Sequence, residues 1–296
     1  MKRVAITGAS GFIGRALAAN LIADGVKVVS IGRGAGSDVQ WDPAAGRLDA
    51  SALEGVEAVV HLAGASVAER WTAERKRVIR ESRVQGTRLI AERCAGLATK
   101  PAVLVCASGI GYHGSRGDEW LDETSSPGDD FLAGVVRDWE AAADPARAAG
   151  IRVVHLRTGI ALNPRGGALG KMLLPFQLGV GGRLGSGHQW MSWISLHDLV
   201  RAFRFVMETP SISGPVNATA PEPVTNRTFT ATLARVLKRP ALVPVPAFAL
   251  RALLGEMADG TVLASQRVRA TVLAGAGFRF EHPTLSTALR SELDLR

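Results

Sequence analysis

Short apolar runs alternate with longer helical patterns along the first 160 residues. The runs predict strands at residues 4–6, 27–31, 58–62, 102–106 and 152–156. The stretches between them predict helices over residues 12–23, 72–94 and 130–148. Strands that alternate with helices form parallel βαβ units, because a parallel connection needs a crossover. The pattern therefore predicts an α/β protein with a doubly wound parallel sheet and helices on both faces.

The alternation weakens after residue 160. Eight glycines between residues 166 and 187 predict a long loop-rich stretch, and helical patterning returns near 228–238, 247–257 and 284–293. We predict a nucleotide-binding core over residues 1–160. Residues 161–296 are predicted to complete the sheet and form a small C-terminal cap on the substrate side, with a distinct segment at about 240–290.

The composition of the chain excludes several classes of protein. With 296 residues, of which 47% are hydrophobic, the chain can build a large core, and this excludes general disorder. Two cysteines cannot form a disulfide framework, and no cluster of ligands has metal-site spacing, so we predict no metal. The first apolar run is too short for a signal peptide. A membrane-spanning helix needs about 18 consecutive apolar residues, and the sequence has no such run. We expect a cytoplasmic protein.

Basic residues are concentrated in the second half of the chain. Residues 1–150 hold 18 Lys and Arg against 19 Asp and Glu, whereas residues 151–296 hold 17 against 8. Such an excess indicates an anionic partner, although solubility alone also explains it. The charges are scattered and no nucleic-acid motif accompanies them. We therefore predict a small anionic substrate and no nucleic acid.

A glycine loop, Thr7-Gly8-Ala9-Ser10-Gly11-Phe12-Ile13-Gly14, links the first predicted strand to the first predicted helix. Gly8 permits a tight turn, and Gly11 lets the backbone approach a pyrophosphate closely. Gly14 lets the helix pack against the strand. Free amides at the helix start favour an anion there. The loop predicts a Rossmann-type nucleotide site with these contacts: Gly8, Ser10, Gly11, Phe12, Ile13 and Gly14.

The end of the second predicted strand indicates which nicotinamide cofactor is bound. NAD-selective sites place an acid here for the ribose 2′-hydroxyl, but this strand ends in Gly32-Arg33. A guanidinium can pair with a 2′-phosphate through two hydrogen bonds. We predict NADP(H) as the cofactor; the alternative is that Arg33 is a solvated surface residue.

The chain resembles a known family. The glycine loop and His61-Leu62-Ala63-Gly64-Ala65 resemble extended short-chain dehydrogenase/reductases of the NAD(P)-dependent epimerase/dehydratase group. A divergent, sugar-nucleotide-epimerase-like branch of that group is closer still, and it has its own C-terminal segment. The stretches that carry this closer match include Ser82-Arg83-Val84, Gly109-Ile110-Gly111-Tyr112, Asp138-Trp139-Glu140 and Leu254-Gly255-Glu256-Met257.

The resemblance implies roles for individual residues. Leu62, Ala63 and Gly64 would line the cofactor, and Arg157 would lie beside the nicotinamide. Ser108 matches the family's serine or threonine that hydrogen-bonds the reacting oxygen, although a serine there is also a common turn former. The resemblance also implies a homodimer that packs two helices together.

The family's usual proton-transfer pair is missing. Family members that transfer hydride use a tyrosine and a lysine four residues later on one helix, where the expected pair falls at Leu132 and Val136 or at Phe131 and Val135. Tyr112 is the chain's single tyrosine and lies in a loop, so it is a weak catalytic candidate. Nothing selects a substitute among the other candidate proton carriers, which are His113, Asp118, Glu119 and His197.

Three functions remain open. The first is an NADP(H)-binding, epimerase/dehydratase-like oxidoreductase that acts on an anionic or nucleotide-linked substrate. The second is a catalytically inactive NADP(H) sensor or scaffold of the same fold, and the third is nucleic-acid binding. Trp190 and Trp193 could form a stacking wall for a ring-bearing ligand, or could simply fill the interior of the cap.

Overall fold

A parallel sheet forms the centre of the protein in the computed structural model, which describes residues 1–295. The strands are β1 Arg3–Thr7, β2 Lys27–Gly32, β3 Val39–Asp42, β4 Arg47–Leu48, β5 Ala58–His61, β6 Val103–Gly109, β7 Trp120–Leu121, β8 Arg152–Thr158, β9 Ile160–Leu162, β10 Trp190–Met191, β11 Trp193–Ser195, β12 Gly214–Ala218, β13 Val224–Thr225 and β14 Arg267–Val268.

Eight strands form the main sheet in the order β12-β8-β6-β5-β1-β2-β3-β4. All neighbours pair in parallel except β3 and β4, which form an antiparallel edge. The order runs outward in both directions from β1 and β5, so the prediction of a doubly wound α/β sheet is confirmed. Residues 161–295 contribute one strand to this sheet, the edge strand β12.

Ten α-helices surround the strands within residues 1–295. They are α1 Phe12–Ala23, α2 Ala73–Ala95, α3 Phe131–Ala141, α4 Asp144–Ala148, α5 Gly167–Gln177, α6 Leu196–Glu208, α7 Asn226–Leu237, α8 Ala247–Leu254, α9 Thr271–Gly275 and α10 Leu285–Glu292. None of these helices is both long enough and apolar enough to cross a membrane.

Two predicted stretches differ from the structure. The helix predicted over residues 130–148 is divided into α3 and α4, and Pro145 lies in the first turn of α4. Proline lacks the N–H that a continuous helix would need, which accounts for the division. The glycine-rich stretch, which was predicted to be loop-rich, contains the helix α5, whose apolar residues Leu169, Leu173 and Phe176 are buried.

Helices cover both faces of the sheet. On one face α1 and α6 pack with buried Leu17 and Phe203, and on the other α2 contributes Ile90 and Cys94. A separate cluster joins α5, α7 and α10 around the buried side chain of Phe229. Burying apolar surface on both sides keeps the strands rigid, so their carboxyl ends provide a stable edge for a site.

The close packing of α1 on the end of β1 depends on two glycines. Gly8 has φ of +69°, which L side chains rarely adopt. A side chain at Gly14 would place its Cβ 2.8 Å from the Cα of Ala9 and closer still to the carbonyl oxygen of Gly8. The first turn of α1 can therefore lie against the loop only because position 14 has no side chain.

We expect Gly14→Ala to destabilise the protein, because its methyl group must push α1 away from β1. Overpacking of this kind costs about 1–3 kcal/mol. Gly36→Ala is the matched control, since a Cβ there meets nothing within 4 Å and its φ is not positive. Urea unfolding of the two variants tests this, and equal midpoints would contradict the packing argument.

Candidate functional site

The amides at the start of α1 are not capped by any side chain of residues 1–295. Gly11 occupies the N-cap position with extended backbone and makes no side-chain cap, and no acid lies in the first turn. The Gly11 amide is bonded to the Gly8 carbonyl at 2.9 Å, which tightens the loop. Ser10 and Gly11 are exposed. An uncapped helix start with exposed backbone is suited to an anion such as a phosphate.

Arg33 follows the last residue of β2 and is exposed. Its side chain makes no hydrogen bond or ion pair with the residues that the structure describes. The nearby acid Asp38 is already engaged, because it accepts from the Ser30 amide at 2.8 Å and the Ser30 hydroxyl at 2.7 Å. These bonds hold the pKa of Asp38 below its usual value. Arg33 is therefore an uncompensated positive charge at this end of β2.

Thr7 ties the end of β1 to the end of β5. Its Oγ1 accepts from the amides of Leu62 at 3.0 Å and Ala63 at 3.2 Å. With both lone pairs used, the hydroxyl donates to Nδ1 of His61 at 2.7 Å. Burial lowers the pKa of His61 to about 3, so its ring is neutral. The loop predicted to line the cofactor is thus held by a buried network that includes His61, a residue for which the sequence predicts no role.

Ser108 lies within a buried ionic network at the carboxyl end of β6. Its hydroxyl donates to Oε1 of Glu140 at 2.7 Å. Arg157 donates from Nε to Oε1 at 2.8 Å and from Nη2 to Oε2 at 2.7 Å. Burial alone would raise the pKa of Glu140, but Arg157 and Ser108 hold it below its usual value. Glu140 is therefore a paired carboxylate.

Tyr112 lies in a short turn after β6, not on a long helix, and its ring lies 3.4 Å from Cζ of Arg157. Arg116, four residues later, pairs with Glu119, so it does not assist Tyr112. The role implied for Arg157 beside the nicotinamide stays a prediction. The Arg157 side chain is 3% exposed, is paired with Glu140 and packs on the ring of Tyr112.

Several buried polar atoms beside this network lack a hydrogen-bond partner among the described residues. They are both ring nitrogens of His113, Nη1 of Arg157 and Oδ1 of Asn217. Burial, followed by the charge of Arg157, lowers the pKa of His113 to about 4. Buried groups of this kind are costly in a purely structural core and are frequent near functional sites.

The two tryptophans of the glycine-rich loop have different environments. Trp193 is fully buried in the cluster around Phe229, and its Nε1 donates to the carbonyl of Glu222. Trp190 is half-buried, and its ring lies 4.1 Å from Cζ of Arg267. Trp193 therefore fills the interior and does not form a wall for a ligand. No group of three or more potential metal ligands was found within residues 1–295.

Comparison with known proteins identifies the family. A family model described as NAD dependent epimerase/dehydratase matches residues 4–218. The chain belongs to this epimerase/dehydratase family. A second model, a domain of unknown function named DUF1731, matches residues 245–292. The resemblance inferred from the sequence motifs, including the separate C-terminal segment, is confirmed.

Relatives within the epimerase/dehydratase family match nearly the whole chain. Epimerase family protein Mb2239 of Mycobacterium bovis is 44% identical over 290 residues, which cover 97% of this chain and 96% of the relative. The crystal structure of human epimerase family protein SDR39U1 with NADPH has a TM-score of 0.90 and 32% identity, and the match covers 99% of each chain. The chain also shares its fold with the structure of UDP-glucose 4-epimerase of Thermus thermophilus in complex with NAD. The TM-score is 0.76 and the identity 19%, and the match covers 99% of this chain and 98% of that enzyme's chain.

The pH dependence of stability should report the buried state of His113. Its pKa in the fold is about 4 against a usual value of 6.5. The unfolded chain therefore binds more protons below pH 6.5, and stability is lost as the pH falls from 6.5 towards 4. We expect His113→Asn to reduce this loss by about one proton, or about 1.4 kcal/mol per pH unit. Urea titrations between pH 7.5 and 5 measure it; an unchanged slope would show that His113 takes up its proton in the fold.

Proposed function

We propose that this protein binds NADP(H) and is an epimerase/dehydratase-like oxidoreductase whose site is built on Ser108, Glu140 and Arg157. The observation that carries the cofactor proposal is the uncapped start of α1 together with the unpaired, exposed Arg33. The human relative crystallised with NADPH supports the same choice of cofactor, whereas the more distant Thermus enzyme was crystallised with NAD.

The residues present fit such a cofactor. The uncapped amides of α1 offer hydrogen bonds to a pyrophosphate, and Gly11 carries no side chain that would block its approach. Arg33 offers two donors to a 2′-phosphate, and no described residue competes for them. The residues proposed to hold the cofactor are Gly8, Ser10, Gly11, Phe12, Ile13, Gly14, Arg33, Leu62, Ala63 and Gly64.

The orientation of the Ser108 proton determines what the site can do. Because the hydroxyl donates to the Glu140 carboxylate, its oxygen retains free lone pairs and acts as an acceptor. A substrate hydroxyl can then donate to Ser108, while Arg157 keeps Glu140 ionised. Bound NADP(H) would supply the hydride donor or acceptor. We propose that Ser108 and Glu140 together orient the reacting oxygen in place of the missing tyrosine.

A catalytically inactive NADP(H) sensor or scaffold of the same fold remains the second candidate. The specific observation in its favour is that α3 carries Phe131, Leu132, Val135 and Val136 where the family's tyrosine and lysine are expected. None of these side chains can transfer a proton. The paired state of Glu140 also makes it a weak base.

Arg33→Ala should weaken NADPH binding by about tenfold or more, because a two-donor contact with a phosphate contributes about 1.5–3 kcal/mol. NADH binding should change by less than about twofold, since NADH has no 2′-phosphate. Fluorescence titration of both cofactors measures this. Lys27→Ala is the matched control, because Lys27 is an exposed cation at the opposite end of β2. Equal weakening for both cofactors would contradict the assignment.

Turnover separates the enzyme from the sensor. We expect NADP(H)-dependent oxidation or reduction within a panel of phosphorylated and nucleotide-linked alcohols and carbonyls. Ser108→Ala should lower the rate by about 100-fold, the usual size of such contributions. NADPH binding of the variant is the control for folding. Tight NADPH binding with no turnover in either direction would favour the sensor, and full activity of Ser108→Ala would remove Ser108 from the mechanism.

A further inference from the structure

Exposed apolar side chains are concentrated on two segments of the second half of the chain. Of the eleven large apolar residues that are exposed within residues 1–295, seven lie in residues 174–180 and 242–253. They form the apolar face, which consists of Leu174, Leu178, Val180, Leu242, Val243, Phe248 and Leu253. Single exposed apolar residues are normal, but a concentration of them marks an interaction surface.

The two segments are neighbours in the structure. Val180 forms an antiparallel bridge with Ala241, and the amide of Val243 donates to the carbonyl of Gly181 at 3.3 Å. The helix α5 ends three residues before Val180, and α8 begins four residues after Val243. Backbone hydrogen bonds therefore hold the end of α5 beside the segment that leads into α8.

The apolar face protrudes from the surface of the protein. Leu242 is 82% exposed, and Phe248 and Leu253 on α8 are 74% and 72% exposed. The helix α8 buries only Leu250. Apolar side chains that are this exposed stand above their surroundings, so they can enter an apolar phase together.

The surroundings of the apolar face carry positive charge and no negative charge. Residues 160–197 and 223–255 contain no Asp or Glu. They contain eight basic residues, which are Arg165, Lys171, Arg183, Arg227, Arg235, Lys238, Arg239 and Arg251. Within the described chain only Arg251 of these eight has an ion pair, which it forms with Asp259 at 2.9 Å. Lys238 and Arg239 are exposed and lie three or four residues before Leu242.

This charge pattern decides between the possible occupants of the apolar face. A second copy of the chain in a symmetric dimer would bring the same uncompensated cations towards each other, which is unfavourable. An anionic lipid surface offers hydrocarbon to the apolar side chains and negative headgroups to the cations around them. Basic residues beside exposed apolar side chains are typical of segments that lie in such an interface.

We propose that the apolar face docks the protein on an anionic lipid bilayer. Its seven side chains would enter the boundary between headgroups and acyl chains, and Lys238 and Arg239 would lie against lipid phosphates. No helix of the described residues is long and apolar enough to cross the bilayer, so the contact is with its surface. The proposal is independent of the proposed function, because the apolar face includes no residue proposed to bind the cofactor.

Sedimentation of the full chain with vesicles tests the proposal. We expect saturable binding to phosphatidylcholine vesicles that contain about 30% phosphatidylglycerol. Binding should be at least about tenfold weaker to pure phosphatidylcholine, and it should weaken as sodium chloride is raised to about 0.5 M.

Two double variants separate the apolar and the charged contributions. Leu178→Ser with Leu242→Ser should weaken binding to the anionic vesicles at least about tenfold, because less apolar surface is buried. Ile22→Ser is the control, since Ile22 is 59% exposed on α1, outside the apolar face. It should bind like the wild type.

Lys238→Gln with Arg239→Gln should also weaken this binding at least about tenfold. Its control is Lys27→Gln with Arg88→Gln, which removes the same net charge from exposed positions elsewhere and should change binding by less than about threefold. Both cations of the first pair are exposed, so this variant is decisive even if the serine variant unfolds at a lower urea concentration.

Three results would overturn the proposal. They are no binding to the anionic vesicles, unchanged binding of both double variants, or equal weakening by the charge variant and its control. Analytical ultracentrifugation identifies the alternative occupant. Self-association of the wild type that Leu178→Ser with Leu242→Ser abolishes, together with no vesicle binding, would assign the apolar face to a second copy and reject the lipid surface.

Discussion

The contact between the first turn of α1 and the end of β1 is the constraint on which the rest of the site depends. Gly14 has no side chain, so the helix start can lie against the Gly8 carbonyl, and the N-cap residue Gly11 leaves the first amides without a side-chain cap. From the same strand end, Thr7 fixes the loop after β5 through the amides of Leu62 and Ala63. The start of α1 and the loop after β5 thus form the two sides of the proposed cofactor site, and both are held by close packing and by backbone hydrogen bonds.

The second organising interaction is the buried pair of Glu140 and Arg157. Either charge alone would be costly to bury in the low dielectric of the interior, whereas the paired charges neutralise each other. The Glu140 carboxylate still accepts the hydrogen bond of the Ser108 hydroxyl. A tyrosine–lysine pair would present a proton donor to the substrate, whereas this arrangement presents an acceptor oxygen. Under the proposed function, the substrate group that completes this hydrogen bond is a donor, such as an alcohol hydroxyl.

Sequence reasoning succeeded where a short segment determines its own structure. The doubly wound parallel sheet follows from the alternation of strands and helices, and the glycine loop needs a tight turn that Gly8 provides. It failed where distant residues decide: Glu140 and Arg157 are 17 positions apart and meet only after the sheet forms. The helix α5 was missed because glycines obscured its periodicity, while tertiary packing of Phe176 stabilises it. The tryptophan loop was ambiguous until burial assigned Trp193 to the core.

Three arginines of the carboxyl edge show how the same side chain serves different purposes according to what surrounds it. The charge of Arg157 is neutralised by Glu140, so Arg157 holds the site in place but adds no net positive charge to it. Arg33 and Arg83 form no ion pair with an acid of the described chain; Arg33 is exposed after β2, and Arg83 is half-buried on α2. Two uncompensated cations in this part of the sheet generate a positive potential that attracts anionic ligands. Under the proposed function, this potential favours a negatively charged ligand, and the neutral centre at Ser108 is left for the reacting group.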